Sequence, residues 1–503
     1  MLYQSTRGDS GRVSPAEAVK RGIAPDGGLF VPTERVSFSA EEIPALIPMD
    51  YRERVARILT PYLSGFTNEE IWDCVSLAYN DEHFDHPAIA PLVNLDQDLS
   101  VLELWHGPTC AFKDMALQIL PHLLVKSMVK TGEDAGILVL VATSGDTGKA
   151  ALEGFKDVPR TAINVFYPAE GVSEIQKLQM VTQEGNNVGV VAVRGNFDDT
   201  QSGVKKIFGD PAMAEKIAGR GFKFSSANSI NWGRLAPQIV YYFSAYAELL
   251  SSGRVSSGQA VNFVVPTGNF GNILAGFYAR EMGLPVNRLI CAANENNVLT
   301  DFIRTGVYDR NRSFITTLSP SMDILISSNL ERLLFELTGW DAAPVREWMN
   351  ILNSRGRYEV DADTREKVRQ LFWSDFAGDD DTMRSIRETH RRYGYVTDTH
   401  TAVGLHVYDR YRDATGDAAP AVVLSTASPF KFNASVAKAL LGDDETRGKT
   451  EFELLQILSE FSGMPVPWGL RDLQTRPVLH DRVVEREQMP QSVNSFVNKL
   501  TGE

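Results

Sequence analysis

A lysine, two glycine-bearing turns and a cluster of hydroxyls are the residues of this chain whose types and spacing could do chemistry. Lys113 lies between Phe112 and Met115, shortly after the Gly107-Pro108 turn, where a helix running on to Met128 is expected to start. An amine held among apolar groups near a helix N-terminus has its charged form disfavoured, which lowers its pKa and frees it for Schiff-base chemistry. The alternative is a solvated surface charge, the commonest fate of a lysine.

Thr267-Gly268-Asn269-Phe270-Gly271-Asn272 follows an apolar run at 261–266 and precedes an expected helix at 273–282. Glycines there let successive N–H groups point at one spot, and the helix behind adds positive potential, which together make a phosphate cradle. A plain strand-to-helix turn would use the same residues. Thr143-Ser144-Gly145-Asp146-Thr147-Gly148-Lys149 also opens a helix. It is not a nucleotide P-loop, since that motif needs Gly where Thr143 stands and Ser or Thr where Ala150 stands. What remains is a set of hydroxyls and free N–H groups suited to a carboxylate, or to simple helix capping.

These segments need elements to carry them. Apolar runs at 137–142, 162–167, 188–193, 261–266, 289–292 and 421–425 alternate with helical stretches. Several are apolar throughout, as strands covered on both faces are. The fold class is therefore α/β with a parallel sheet, whose ligands bind at the carboxyl ends of the strands. The first hundred residues are helical punctuation instead. Ser14-Pro15 with Glu17, Ser39 with Glu42, and Thr67 with Glu70 have capping spacing, Gly22 is a stop, and Val55, Ile58, Leu59 and Leu63 share a helical face. Residues 361–392 read as a helical excursion, and the chain beyond Gly442 as a mixed-charge tail.

The 503 residues, at roughly 150 per domain, suggest about three domain-sized units. Hydrophobic residues at 43% and charged ones at 23% are an ordinary globular balance. The longest apolar run is far short of the ~20 residues that cross a bilayer, and the start of the chain is polar, so no membrane partner or signal peptide is expected and the protein reads as cytoplasmic. A net charge of −14 argues against nucleic acid, and an anionic substrate would need its own cationic pocket. Cys74, Cys110 and Cys291 read as reduced thiols. Asp379, Asp380 and Asp381 read as a solvated loop capping the next helix. His83 and His86 lack the partners of a zinc site, and His106 either orients the Lys113 segment or is structural. No metal is expected.

Taken together and in order, HGPTCAFKD, ATSGDTG, SANSINWGR, PTGNFGN and STASPFKF resemble the threonine synthase family of pyridoxal-phosphate enzymes. The resemblance runs from STRG and PDGGLFVP near the start to about Leu440. It implies the tryptophan-synthase-β type of fold (fold type II), with two open parallel-sheet domains and a helical N-terminal cap. The division it suggests is a cap at 1–97, a large cofactor-binding domain at 98–130 and 226–442, a small mobile α/β domain at 131–225, and a C-terminal extension at 443–503.

The resemblance further implies that Lys113 is joined to the aldehyde of pyridoxal 5'-phosphate. Gly268, Asn269, Phe270, Gly271 and Asn272 would hold the cofactor phosphate, and Thr426 would bond the pyridine nitrogen. Ser144, Asp146 and Thr147 would face the substrate carboxylate and the ring hydroxyl; Asp146 stands where relatives often carry Asn, and an ionised Asp can only accept. Asn228, Ser229 and Arg234 match a substrate-phosphate pocket, and Lys431 is a further candidate. The implied reaction converts O-phospho-L-homoserine and water to L-threonine and phosphate, in a monomer or homodimer. The alternative is a related dehydratase or β-replacing synthase, which would need no second phosphate pocket; a silent binding protein would have no use for Lys113.

Overall fold

Apolar strands separated by helices can bury both their faces only as a parallel sheet with crossover helices, and the chain forms two such sheets. The computed structural model describes residues 1–143 and 145–502. The larger sheet runs Phe372–Phe376, Val286–Ala293, Val261–Pro266, Ala421–Ser425, Leu99–Glu103, Leu92–Asn94. Its neighbours are parallel except the last pair, where Leu92–Asn94 turns back antiparallel at the edge. The smaller sheet runs Val483–Val484, Val188–Val193, Thr161–Pro168, Gly136–Ala142, Phe222–Ser225 and is parallel throughout. Every apolar run expected as a strand falls on one, and Thr161–Pro168, Val261–Pro266 and Ala421–Ser425 are buried at every residue.

Four local expectations are corrected. Residues 361–392 are not wholly helical, because Phe372–Phe376 lies between two helices and pairs with Val286–Ala293 as the edge of the larger sheet. The helix expected from Lys113 to Met128 is two, Asp114–Leu117 and Leu120–Lys130; Pro121, which has no N–H to give, sits in the first turn of the second. Ser39 and Glu42 do bond to each other, yet only a short 3₁₀ turn follows at Pro44–Leu46. The chain after Gly442 is no tail: it forms helices Glu451–Ser462 and Met489–Thr501, and its strand Val483–Val484 completes the smaller sheet.

The N-terminal punctuation otherwise acts as its spacing predicts. Ser14 caps Pro15–Arg21, Gly22 ends it at φ 72°, and Thr67 with Glu70 forms a capping box, each such cap being worth about 1 kcal/mol. This region packs on the 20-residue helix Trp232–Ser251 that leads from the smaller sheet to the larger. The rings of Tyr3 and Tyr62 lie 5.6 and 5.4 Å from Trp232, and Asn231 Nδ2 donates to Val19 O. The N-terminal segment thereby fixes the start of the helix that carries Arg234.

Candidate active site

The candidate residues sit where five strands end. Lys113 follows Leu99–Glu103, Asp146 and Thr147 follow Gly136–Ala142, Asn228 and Ser229 follow Phe222–Ser225, the glycine loop follows Val261–Pro266, and Thr426 follows Ala421–Ser425. Parallel order sends all these ends to the same edge of their sheets, which is what brings motifs far apart in sequence together. Ser144 lies outside the described residues.

At the centre is a buried charge cluster. Lys113 Nζ donates to Asp146 Oδ2 at 3.3 Å and to Ser321 Oγ at 3.1 Å. Lys431, its side chain fully buried, places Nζ 2.9 Å from Asp146 Oδ1 and 2.8 Å from Thr109 O. Gln176 Nε2 donates to Asp146 Oδ1 at 2.8 Å, and Ser321 Oγ to Asp146 Oδ2 at 2.6 Å. Burial alone would raise the Asp146 carboxyl, but Lys431 and then Lys113 reverse this and hold it well below the usual carboxylate range. The Lys113 amine is lowered from its ordinary value, first by burial; Asp146 opposes the shift, while Lys431 and Arg234 add to it. Lys113 is therefore a buried amine beside a carboxylate, and not a solvated surface charge.

Local geometry aims these groups. Thr143 Oγ1 accepts the N–H groups of Gly145 and Gly148 and so starts the helix Asp146–Phe155, whose first residue enters the cluster. Gly145 has φ 148°, and a Cβ there would lie 2.6 Å from Gln176, so glycine is required to let Gln176 reach Asp146. Thr147, next along, is half-buried. Thr426 is joined to the lysine segment through its carbonyl, which accepts Phe112 N–H at 2.8 Å.

The glycine loop suits a phosphate. Phe270 is left-handed at φ 63°, with its ring buried near Phe372, and helix Gly271–Glu281 begins with no side chain capping it. Its first-turn N–H groups are the positive end of that helix. Ser327 Oγ and Asn329 N–H hold the carbonyls of Gly268 and Asn269, turning the loop's donors the other way. Asn272 Oδ1 takes both the Tyr241 and Tyr242 hydroxyls, leaving its buried Nδ2 without a partner among the described residues. Pyridoxal phosphate needs an amine for its aldehyde and an anion cradle for its phosphate. A lowered lysine, an uncapped helix start and an orphaned amide donor fit that need.

Arg234 is buried, its guanidinium bonded to Ala227 O at 2.8 Å, and its Nε has no partner among the described residues. Burial lowers its pKa to about 10. Ser229 is half-buried, its carbonyl accepting from Asn329 Nδ2, and Asn228 is exposed. Sequence reasoning missed Gln176, Ser321 and Asn329. All three lie outside the glycine-rich motifs, and polar turn signals at Ser319-Pro320-Ser321 and Ser327-Ser328-Asn329 could have drawn notice to two of them.

Family models described as threonine synthase N terminus and threonine synthase, C-terminal match residues 2–79 and 401–497. The threonine synthase of Pseudomonas aeruginosa is 40% identical over 443 residues, spanning 88% of this chain and 91% of that protein. The chain belongs to the threonine synthase family. Human threonine synthase-like 1 is 38% identical over 95% of this chain, which spans 63% of that relative's length. The crystal structures of a PLP-bound threonine synthase from Brucella melitensis and of the yeast threonine synthase superpose with TM-scores of 0.87 and 0.89, at 37% and 33% identity, over 100% of this chain and 99% of each. The fold type II architecture expected from the motifs is the threonine synthase fold found here.

Proposed function

We propose that the chain is a pyridoxal-phosphate-dependent threonine synthase, converting O-phospho-L-homoserine and water to L-threonine and inorganic phosphate. The observation that carries this reading is the buried Lys113 amine beside Asp146, with Arg234 close enough to lower its proton affinity. Lys113 holds the cofactor aldehyde, Gly268 to Asn272 its phosphate, and the Thr426 hydroxyl its ring nitrogen. Asp146 already accepts from Lys431, Gln176, Ser321 and Lys113, so a ring hydroxyl meeting it must be the donor. Thr147, with Ser144 as a further candidate from the sequence, would take the substrate carboxylate, while Asn228, Ser229 and Arg234 take its phosphate.

When bound, the cofactor spreads over its ring the negative charge left by loss of the α-proton. The Lys113 amine would be the group to take that proton and to move protons at the β-carbon. Arg234 balances the charge on the phosphate leaving the γ-carbon, and water then adds at the β-carbon. Residues 98–130 and 226–442 carry the cofactor, and residues 131–225 close over it. The N-terminal cap braces Arg234. The extension at 443–503 braces Gln176, for Glu451 accepts the N–H groups of Glu174 and Ile175 at 3.2 and 3.0 Å. Three buried free thiols suit a reducing cytoplasm, where the enzyme works as a monomer or homodimer.

A dehydratase or β-replacing synthase of this fold has no need of a buried arginine with an unused donor. Incubation with O-phosphohomoserine, following threonine and phosphate together, is the test. Both should appear in equal amounts, and borohydride reduction should label Lys113; phosphate without threonine, or neither product, overturns the reading.

A further inference from the structure

The Lys113 amine has a neighbour that none of the motifs contains. Ser321 Oγ lies 3.1 Å from Lys113 Nζ and 2.6 Å from Asp146 Oδ2. A serine hydroxyl has one proton, and the short contact to an ionised carboxylate takes it. Its lone pairs are then left to accept from the amine, so Ser321 fixes where the protons of Lys113 point.

Ser321 is itself held. Its backbone N–H donates to His400 Nε2 at 3.2 Å, which makes Nε2 an acceptor and puts the ring proton on Nδ1. Nδ1 donates to Asp398 Oδ2 at 2.8 Å. Asp398 is fully buried and caps the helix Thr399–Thr415, accepting from the backbone of His400 and Thr401 and from the Thr401 hydroxyl. The His400 ring packs 4.7 Å from Phe432, next to Lys431. On its other side the Pro320–Met322 turn is tied down by Asp323, which accepts from Thr317, Asn294 and Asn296. The same turn abuts the glycine loop, since a Cβ on Gly268 would lie 3.0 Å from Ser321 O.

We propose that Ser321 is a catalytic residue that orients the Lys113 amine, and that His400 and Asp398 are positioning residues that hold Ser321 in place. This rests on Lys113 being the reacting amine. A misplacement of that amine by a fraction of an ångström is expected to lower kcat by about tenfold to a hundredfold, with less effect on KM.

The test compares S321A, H400L and H400Q with the wild type. Leu fills the histidine's space without an acceptor, whereas Gln offers an oxygen to the Ser321 N–H. In cofactor-free protein, the rate at which an amine-reactive reagent labels Lys113 is read by peptide mapping; the charged groups facing that amine, Asp146, Lys431 and Arg234, are intact in all variants. With cofactor loaded, kcat and KM for O-phosphohomoserine are read separately. S321A and H400L should label Lys113 faster, because the ammonium has lost an acceptor, and should lose kcat. H400Q should restore both. If H400L does not fold, S321A alone carries the comparison. Wild-type labelling and kcat in S321A, or an H400Q as impaired as H400L, would overturn these roles. Failure of the wild type to make threonine would sink the proposed function instead, and the labelling comparison would still stand.

Discussion

Lys431 Nζ and Asp146 Oδ1 form an ion pair 2.9 Å apart in which neither side chain has appreciable contact with solvent. The pair joins the turn after Ala421–Ser425, in the larger sheet, to the helix after Gly136–Ala142, in the smaller one. It also decides the charge state of the site, since Lys431 does more than Lys113 to keep Asp146 ionised. Losing Lys431 would take the nearer of two cations from buried Asp146 and leave Lys113 at 3.3 Å, so the cost stays below the about 3 kcal/mol or more of a buried charge left with no partner. Lys431→Met should therefore lower the unfolding free energy measured in urea, by less than about 3 kcal/mol, and adding Asp146→Asn should recover part of it. An unchanged midpoint in the single variant would show that the pair contributes nothing.

Gly268→Ala tests the cradle. The added methyl would stand 3.0 Å from Ser321 O and 3.3 Å from Met322 Cα, and overpacking of backbone costs about 1–3 kcal/mol. Titration of the cofactor-free protein with pyridoxal phosphate, followed by absorbance, should show affinity weakened by about tenfold or more on the same scale. Wild-type affinity would remove the loop from the binding site.

Arg234→Ala removes the buried guanidinium whose Nε has no partner. If that group meets the substrate phosphate, KM should rise by about ten- to a hundredfold while the cofactor still binds. Arg234→Lys should recover only part of the loss, because an ammonium cannot reproduce the guanidinium fork. Steady-state kinetics with O-phosphohomoserine, alongside the cofactor titration, separate the two effects.

His106 lies between Asp85 and Glu103, at 2.7 and 2.9 Å. Burial lowers its pKa, but the two carboxylates outweigh this and raise it from 6.5 to about 9. A histidine whose folded pKa is raised stabilises the fold fully below its unfolded value and loses that contribution as pH climbs through the folded one. Thermal unfolding of the wild type should thus weaken between pH 6.5 and about 9, by up to about 3 kcal/mol, and His106→Gln should flatten that slope. Parallel profiles for the two proteins would rule the ion cluster out as the cause.

Much of the candidate site was legible in the residue order because its turns and its lysine depend on local geometry. The glycine-bearing turn at 267–272 has no side chain placed to cap the helix behind it, and Phe112-Lys113 carries its apolar setting with it. The strands at 188–193, 261–266 and 421–425 matched because runs buried on both faces have little choice of structure. Local reading failed where a neighbour decided the outcome. Phe372–Phe376 looked like part of a helical stretch until Val286–Ala293 supplied its backbone partners. Val483–Val484 became a strand only against Val188–Val193.

The sequence alone offered Lys113 and the two glycine-bearing turns as candidates, each beside a plainer reading, and indicated that parallel strands would deliver them to one edge. Only the tertiary structure decided that Lys431, Gln176 and Ser321 converge on Asp146, and that His400 reaches Ser321 from another helix. Those residues lie 285, 30 and 175 positions from Asp146 along the chain. Contacts at such separations leave no period or spacing to read; they follow from which strand ends the two sheets bring together, and burial then makes each of those hydrogen bonds obligatory.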